Sequence, residues 1–219
     1  MIEVHNLVKK YAGCTAVNGI DLTINDGEFI AVTGRSGSGK STLLKCVSGL
    51  LTPNSGSVLI DGKDIHALKP AERSLFRNKT AGYVFQSYAL EPKYTAFENI
   101  EIPMLISGIS KSERRKRISE VSEFIGISGI LKKQAETLSG GEKQRVAIAR
   151  ALVNSPKIIF ADEPCGNLDK KTSDAVMNLF LEIKNLGTTI VMVTHQREDA
   201  LKADKIIEML DGEIINENF

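Results

Sequence analysis

Two glycine-rich segments of the chain each lead into an apolar stretch with helical periodicity. The first, GRSGSGKS at residues 34–41, follows the apolar strand EFIAVT. The second, LSGGEKQ at residues 138–144, runs directly into RVAIARAL. The start of a helix offers free backbone N–H groups and the positive end of the helix dipole. Both the phosphate loop (residues 34–41) and the signature segment (residues 138–144) therefore suit an anion.

The phosphate loop fits the pattern G-x-x-x-x-G-K-[ST] between a strand and a helix. In this pattern glycines let the backbone wrap around phosphates, the lysine reaches the β- and γ-phosphates, and the following hydroxyl ligates Mg²⁺. These roles fall to Lys40 and Ser41, which predicts a site for ATP or GTP with Mg²⁺. The predicted nucleotide-binding residues here are Gly34, Arg35, Ser36, Gly37, Ser38, Gly39, Lys40, Ser41 and Thr42.

Two adjacent carboxylates, Asp162 and Glu163, end the apolar segment IIFADE. Neighbouring side chains of a strand point to opposite faces, so the two carboxylates cannot do the same job. In P-loop proteins the Asp belongs to the magnesium shell. Glu163 is then free to orient and deprotonate the attacking water. The alternative, a helix cap or a salt bridge, is less favoured once a phosphate loop is present.

Two further polar residues follow predicted strands. His195 comes after TIVMVT, and Gln86 closes GYVFQ. Ligands of open α/β sheets bind at the carboxyl edge of the strands. We therefore predict that His195 senses the γ-phosphate and that Gln86 holds Mg²⁺ and water. Without the phosphate loop, each would be interpreted as an ordinary polar residue.

Apolar strands that alternate with helices indicate a mostly parallel sheet covered on both faces. Strand signals are absent between about residues 88 and 154, where helical periodicity breaks at 107–110 and 126–129. We predict a single α/β domain of the P-loop NTPase (RecA-like) class. Its core spans 1–87 and 155–219 and includes an N-terminal antiparallel β subdomain, and a helical subdomain occupies residues 88–154.

Composition restricts the class of partner. The 28 basic and 27 acidic residues nearly cancel, which argues against a nucleic-acid-binding protein. The basic run at 111–117 is interpreted as a solvated helix face rather than a site for an anionic partner. Three separated cysteines and apolar runs much shorter than the roughly 20 residues that span a bilayer favour a cytoplasmic protein.

In this order, the motifs resemble those of the nucleotide-binding subunit of ATP-binding cassette (ABC) transporters, and the likeness covers essentially the whole chain. The signature segment discriminates best, because other P-loop ATPases lack it. The matching elements are Tyr11, GRSGSGKS, Gln86, LSGGEKQ, IIFADE, the turn GNLD at 166–169, and His195.

The resemblance implies a head-to-tail dimer in which each signature segment covers the ATP held by the other subunit. Ser139, Gly140 and Gly141 would then donate hydrogen bonds to the phosphate across the interface. A chain of 219 residues has room for one cassette, so it needs a second copy or a paralogue. A twofold homodimer is the default expectation.

The resemblance also implies roles for residues outside these motifs. Tyr11 would stack on adenine, Val17 would lie beside the ribose or base, and Asp169 would lie at the dimer seam. One position departs from the family pattern: Cys165 replaces the usual Thr or Ser in EPCGNLD. We interpret Cys165 as a tolerated substitution rather than a redox switch, since no resolving thiol is near it in sequence.

The expected partner is an integral membrane permease, which the cytoplasmic ATPase would join on the inner face of the membrane. Residues 87–105 are the candidate coupling surface. The segments after Gln86 and around Cys165 most resemble the lipoprotein-release, macrolide-export and peptide-antibiotic-resistance group. Two alternatives stay open: an FtsE-like ATPase that signals through a membrane partner without transport, and a soluble ABC ATPase acting on DNA or ribosomes.

Overall fold

A six-stranded sheet forms the centre of the computed structural model, which describes residues 1–218. The strand order is β10-β9-β3-β8-β7-β6, and the strands are parallel except β10, which pairs antiparallel with β9. Strands β7 and β8 are buried along their whole length, as expected for strands covered on both faces. The strands of this sheet are β3 (Phe29–Thr33), β6 (Ala81–Val84), β7 (Ile158–Asp162), β8 (Thr189–Val193), β9 (Lys205–Leu210) and β10 (Glu213–Asn218).

A second, four-stranded antiparallel sheet confirms the predicted N-terminal β subdomain. Its order is β2-β1-β4-β5, and Ile2 at the start of β1 faces Ile24 on one side and Ile60 on the other. The turn Asp61-Gly62 joins its last two strands, as the sequence predicts. The strands are β1 (Ile2–Tyr11), β2 (Cys14–Ile24), β4 (Ser55–Ile60) and β5 (Lys63–Asp64).

Four of the helices have an N-cap residue whose side chain accepts a hydrogen bond from the first turn. Thr95, Ser110, Ser139 and Asp169 each accept a hydrogen bond from the backbone N–H three residues later. Such a cap contributes about 1 kcal/mol because it satisfies a donor that the helix itself cannot. The helices are α1 (Lys40–Val47), α2 (Pro70–Thr80), α3 (Ala96–Ile106), α4 (Lys111–Ile125), α5 (Gly140–Leu152), α6 (Lys170–Asn185) and α7 (Arg197–Ala200).

The apolar core lies on both faces of the central sheet. One cluster joins the sheet to α3, α4, α5 and α6, and includes Phe180 and Ile148. The other joins it to α1 and the antiparallel sheet, and includes Leu43 and Ile24. The helical breaks expected at 107–110 and 126–129 fall at the two ends of α4. No helix within residues 1–218 is long and apolar enough to cross a bilayer.

Two features of the fold differ from the sequence-based prediction. Helix α2 was not predicted, because it is rich in polar residues and buries none of its residues fully, so its apolar face gives a weak signal in the sequence. The predicted strands that lead to Gln86, Glu163 and His195 each end earlier in the structure than the sequence indicates. Their final polar residues lie in turns beyond the strand ends, where they reach the site.

We expect Gly82→Ala in β6 to destabilise the protein. A Cβ at Gly82 would lie 2.3 Å from the carbonyl oxygen of Ala151, so β6 and α5 would have to separate. Overpacking of this kind costs about 1–3 kcal/mol. Urea unfolding should show a lower midpoint for Gly82→Ala. The matched control is Gly129→Ala, whose Cβ would meet nothing within 4 Å. Equal midpoints for the two variants would contradict the packing described here.

Candidate active site

The phosphate loop lies between β3 and α1, and three of its glycines adopt conformations that other residues avoid. The φ angles are +143° at Gly34, +83° at Gly37 and +98° at Gly39. Space is restricted as well: a Cβ at Gly39 would lie 1.9 Å from the carbonyl oxygen of Ala16, and one at Gly34 would lie 2.2 Å from that of Met209. The loop is therefore pressed against β2 and β9.

The Lys40 ammonium lies inside this loop. Its Nζ donates to the carbonyl oxygens of Gly34 and Arg35, at 2.8 Å each, and the residue is 7% exposed. The hydroxyl of Ser38 is buried without a hydrogen-bond partner in residues 1–218. A cation surrounded by backbone at the start of a helix can neutralise a phosphate without moving far.

The end of β7 connects to the phosphate loop through a hydrogen bond. Ser41 Oγ donates to Asp162 Oδ1 at 2.7 Å. Gln86, two residues beyond β6, borders the same region. Hydroxyl, carboxylate and amide oxygens suit Mg²⁺, which keeps several waters and takes few protein ligands. No group of three His, Cys, Asp or Glu residues in the described part of the chain could hold a metal. The donor set thus fits Mg²⁺ bound largely through water and phosphate.

The second carboxylate of the pair reaches a different partner. Glu163 Oε2 lies 2.7 Å from His195 Nδ1, and the backbone N–H of His195 lies 3.4 Å from the same oxygen. Glu163 has φ +49°, which turns its side chain away from the direction that β7 would impose. Asp162 and Glu163 are therefore separated in space, one beside Ser41 and the other beside His195.

A cavity of about 540 Å³ opens between these groups. The structure brings together here predicted residues from four different segments of the chain, together with Ala16, which was not predicted. The lining residues are Ala16, Ser36, Gly37, Gly39, Lys40, Ser41, Thr42, Gln86, Glu163 and His195. Gly34, Arg35 and Ser36 line an adjoining cavity that His195 also borders.

Two residues predicted to contact the base occupy different environments. Tyr11, the last residue of β1, is 51% exposed, with the Lys9 ammonium 5.5 Å from its ring centre. Val17 is fully buried in the apolar core and does not line the cavity, so its place beside the ribose or base stays a prediction. Its neighbour Ala16 lines the cavity instead. A small residue inside a strand carries no sequence signal for such a role.

The signature segment lies apart from this cavity. Ser139 caps α5, and its backbone N–H donates to Glu142 Oε2 at 2.8 Å. A Cβ at Gly141 would lie 2.7 Å from Thr172 Cγ2, so this glycine packs against α6. Asp169 caps α6 and accepts from the Thr172 hydroxyl at 2.7 Å. None of Ser139, Gly140, Gly141 and Asp169 lines the cavity at the phosphate loop.

Cys165 packs inside the turn that follows Glu163. It is 2% exposed, and its Sγ lies 3.9 Å from the carbonyl oxygen of Ser173. Burial raises the pKa of its thiol to about 12. Since the thiolate is the reactive form, burial disfavours reaction at this cysteine at neutral pH. Its contacts are those of a small core residue.

Comparison with known proteins decides the family. Residues 17–166 match the family described as ABC transporter. The chain belongs to the ABC transporter family. It is 44% identical over 217 residues to the lipoprotein-releasing system ATP-binding protein LolD of Aquifex aeolicus, covering 99% of this chain and 97% of that protein. It is also 44% identical over 201 residues to the macrolide export ATP-binding/permease protein MacB of Brucella melitensis, covering 92% of this chain and 31% of that protein.

Solved ABC cassettes share the fold closely. The dimeric structure of the cassette MJ0796 has a TM-score of 0.93 and 39% identity, covering 100% of this chain and 98% of that one. The same cassette in a dimeric post-hydrolysis state bound to ADP and Pi has a TM-score of 0.93 and 38% identity. The ABC protein described here is therefore an ATP-binding and ATP-hydrolysing cassette of P-loop NTPase fold, as its motifs predict.

We expect the two buried thiols to resist modification in the folded protein. Burial raises the pKa of Cys46 to about 11 and that of Cys165 to about 12. Cys14 is exposed, so Cys14→Ser should remove native reactivity. At pH 8 this variant should show no thiol reactive with Ellman's reagent when native, and two after denaturation. Native labelling of Cys165 with altered ATPase activity would instead indicate a redox role.

Proposed function

We propose that this cassette forms an ATP-driven head-to-tail homodimer that powers a separate membrane permease. The observation that carries the proposal is the placement of the signature segment outside its own chain's cavity. The first N–H groups of a helix have no partner within it, and Ser139 Oγ satisfies only that of Glu142. The Gly140 and Gly141 donors therefore suit a phosphate that another copy presents.

Relatives support the dimer. The solved cassette MJ0796 is dimeric both in the first structure and with ADP and Pi. In such a dimer Asp169, which caps α6 beside Gly141, would lie at the seam between the subunits. Tyr11, exposed at the end of β1, would stack on adenine. Each ATP would thus contact both chains, and a twofold axis would create two equal sites.

Hydrolysis would need both neutralisation of the phosphate charge and transfer of a proton from the attacking water. Lys40 would leave its loop carbonyls to contact the β- and γ-phosphates, while Ser41, Asp162 and Gln86 would hold Mg²⁺. That ion supplies charge neutralisation at the phosphate oxygens. Glu163 would accept the proton of the attacking water. His195, oriented through Nδ1 by Glu163, would present Nε2 to the γ-phosphate.

An apolar groove on the surface is a suitable docking site for the permease. It has a volume of about 330 Å³ and lies between α2 and the ends of α3 and α5, with Asn78, Pro103 and Ile106 in its lining. Around it Leu50, Leu75, Leu105 and Ile106 are 42–58% exposed. An exposed patch of this kind marks a protein interaction site. It overlaps the end of the predicted coupling surface 87–105 and extends onto α2.

The relatives also favour transport over signalling. LolD is named for lipoprotein release and MacB for macrolide export, and the matching cassette is 31% of the MacB chain, which is named ATP-binding/permease. The FtsE-like alternative is not favoured by these names, nor is a nucleic-acid partner. We infer a cytoplasmic cassette held on the inner face of the membrane by its permease.

We expect Glu163→Gln to abolish turnover and trap the dimer. The amide keeps the size of the side chain and its contact with His195 but cannot accept the proton, which should lower kcat about 10²- to 10⁴-fold. Size-exclusion chromatography with ATP and Mg²⁺ should show a dimer, and the same protein with ADP should elute as a monomer. The control is the double variant Glu163→Gln, Lys40→Ala, which should stay monomeric with ATP and Mg²⁺. Normal hydrolysis by a monomeric Glu163→Gln protein would overturn the proposal.

We expect Ile106→Glu to uncouple the cassette from its permease. Ile106 is 58% exposed at the groove, so a carboxylate there places a charge on the apolar contact without disturbing the core. Co-purification with the permease should fall, while ATPase activity of the isolated cassette should stay within twofold. Leu186→Glu, at a residue 74% exposed outside this groove, is the control. Equal permease binding by both variants would locate the contact elsewhere.

A further inference from the structure

Two consecutive residues in the segment after Gln86 adopt a left-handed backbone. Tyr88 has φ +62° and Ala89 has φ +48°, and neither is a glycine. Such conformations cost about 1–3 kcal/mol each and persist only where the surroundings enforce them. The segment connects Gln86, which lines the ATP cavity, to helix α3. Its shape is therefore imposed by another part of the chain.

Helix α5 supplies that constraint from its last turn. The Arg150 guanidinium donates to the carbonyl oxygen of Tyr88 at 2.8 Å through one nitrogen and to that of Ala89 through the other. Burial lowers the pKa of Arg150, and the two carbonyls compensate its buried charge. The kinked backbone is thus attached to the helix that begins with the signature segment.

The side chain of Tyr88 reaches the opposite end of the same helix. A Cβ at Gly140, the first residue of α5, would lie 3.2 Å from Tyr88 Oη and 3.7 Å from Leu168 Cδ2. Leu168 belongs to the turn that ends at Asp169. The Tyr88 side chain therefore extends from the Arg150 contact to the signature segment, and its hydroxyl oxygen lies beside Gly140.

We propose that Tyr88 is a positioning residue for the signature segment of its own chain and so acts on the ATP held by the partner chain. Gln86, two residues earlier, senses the ATP of its own chain, so the kink links one site to the other. The inference rests on the proposed dimer. The competing explanation is that Tyr88 only positions Gln86, and hence acts on its own chain's ATP.

We expect Tyr88→Ala to lower kcat about 10- to 100-fold, because a donor displaced by about 1 Å loses that much. ATP affinity of the monomer should stay within twofold, since none of the cavity lining changes. Tyr88→Phe should keep at least half of the wild-type kcat, because it keeps the ring and removes only the hydroxyl beside Gly140. Thermal denaturation separates this effect from a folding defect: both variants must stay folded at the assay temperature.

Mixing the impaired Tyr88→Ala protein with the inactive Lys40→Ala protein separates the alternatives, with activity above the sum of the two unmixed proteins as the readout. In a heterodimer of Tyr88→Ala with Lys40→Ala, one site combines the intact phosphate loop of the first chain with the intact signature segment of the second. If Tyr88 acts across the interface, the activity of the mixture exceeds that sum. If Tyr88 acts through Gln86 in its own chain, both sites are damaged and the activity of the mixture does not exceed it.

Two further mixtures with Lys40→Ala calibrate the experiment. The mixture of Ser139→Ala with Lys40→Ala should regain activity, because Ser139→Ala damages only the signature segment. The mixture of Glu163→Gln with Lys40→Ala should not, because Glu163→Gln damages the nucleotide site of the chain that carries it. Recovery with Ser139→Ala but not with Tyr88→Ala would overturn the inference and leave the dimer proposal intact. Recovery of activity in the mixture of Glu163→Gln with Lys40→Ala would count against the proposed head-to-tail dimer. Tight ATP binding without a dimer in any of the variants would count against it as well.

A dimer that needs two intact sites would leave the Ser139→Ala mixture inactive. In that case, size-exclusion chromatography of variants that also carry Glu163→Gln tests whether Tyr88 positions the signature segment. Adding Tyr88→Ala should abolish the ATP-bound dimer while the monomer still binds ATP, and adding Tyr88→Phe should preserve the dimer. A Tyr88→Ala, Glu163→Gln protein that dimerises like Glu163→Gln would overturn the inference.

Discussion

The close approach of the phosphate loop to its neighbouring strands determines the rest of the site. Backbone carbonyl oxygens of Ala16 and Met209 occupy the places where Cβ atoms of Gly39 and Gly34 would be. The loop can therefore wrap inward only with glycine at both positions. This packing orients α1, whose first residues Lys40 and Ser41 then point at the same space. The antiparallel sheet contributes β2 to this packing, and so helps to shape the nucleotide site.

Strand register then places the polar groups that we propose act on the phosphate. Asp162 at the end of β7 is paired with Val193 at the end of β8, so the residues that follow both strands emerge side by side. That pairing puts Glu163 and His195 within 2.7 Å of each other. A shift of register by one residue would exchange the faces of the strand and separate them. The buried apolar runs of β7 and β8 prevent such a shift.

Much of this could be predicted from the sequence, because each motif lies next to an element with a strong pattern. Lys40, Glu163 and His195 follow apolar strands and Asp162 ends one, and parallel strands collect the residues at their carboxyl ends at one edge. Side-chain environments were less accessible: nothing in the pattern of β2 indicates that Ala16 rather than Val17 meets the cavity. The polar helix α2 was missed for the same reason, since its amphipathic face is only half-buried.

Backbone strain between Gln86 and α3 was also beyond prediction, since Tyr88 and Ala89 are not residues that favour a left-handed conformation. The tertiary contact with Arg150 holds this backbone, together with the local hydrogen bonds from Tyr88 N–H to Phe85 and from Ala89 N–H to Ser87. Helix α5 therefore has two separate structural roles, one at its start and one at its end, which its local sequence does not reveal. Its start offers donors that its own chain's cavity cannot use, and its end holds the segment that begins at Gln86. In the proposed dimer, a phosphate site divided in this way would be complete only when two chains meet. Hydrolysis would then require the dimer and the dimer would require ATP, so nucleotide turnover would be tied to an association of chains that a permease can follow.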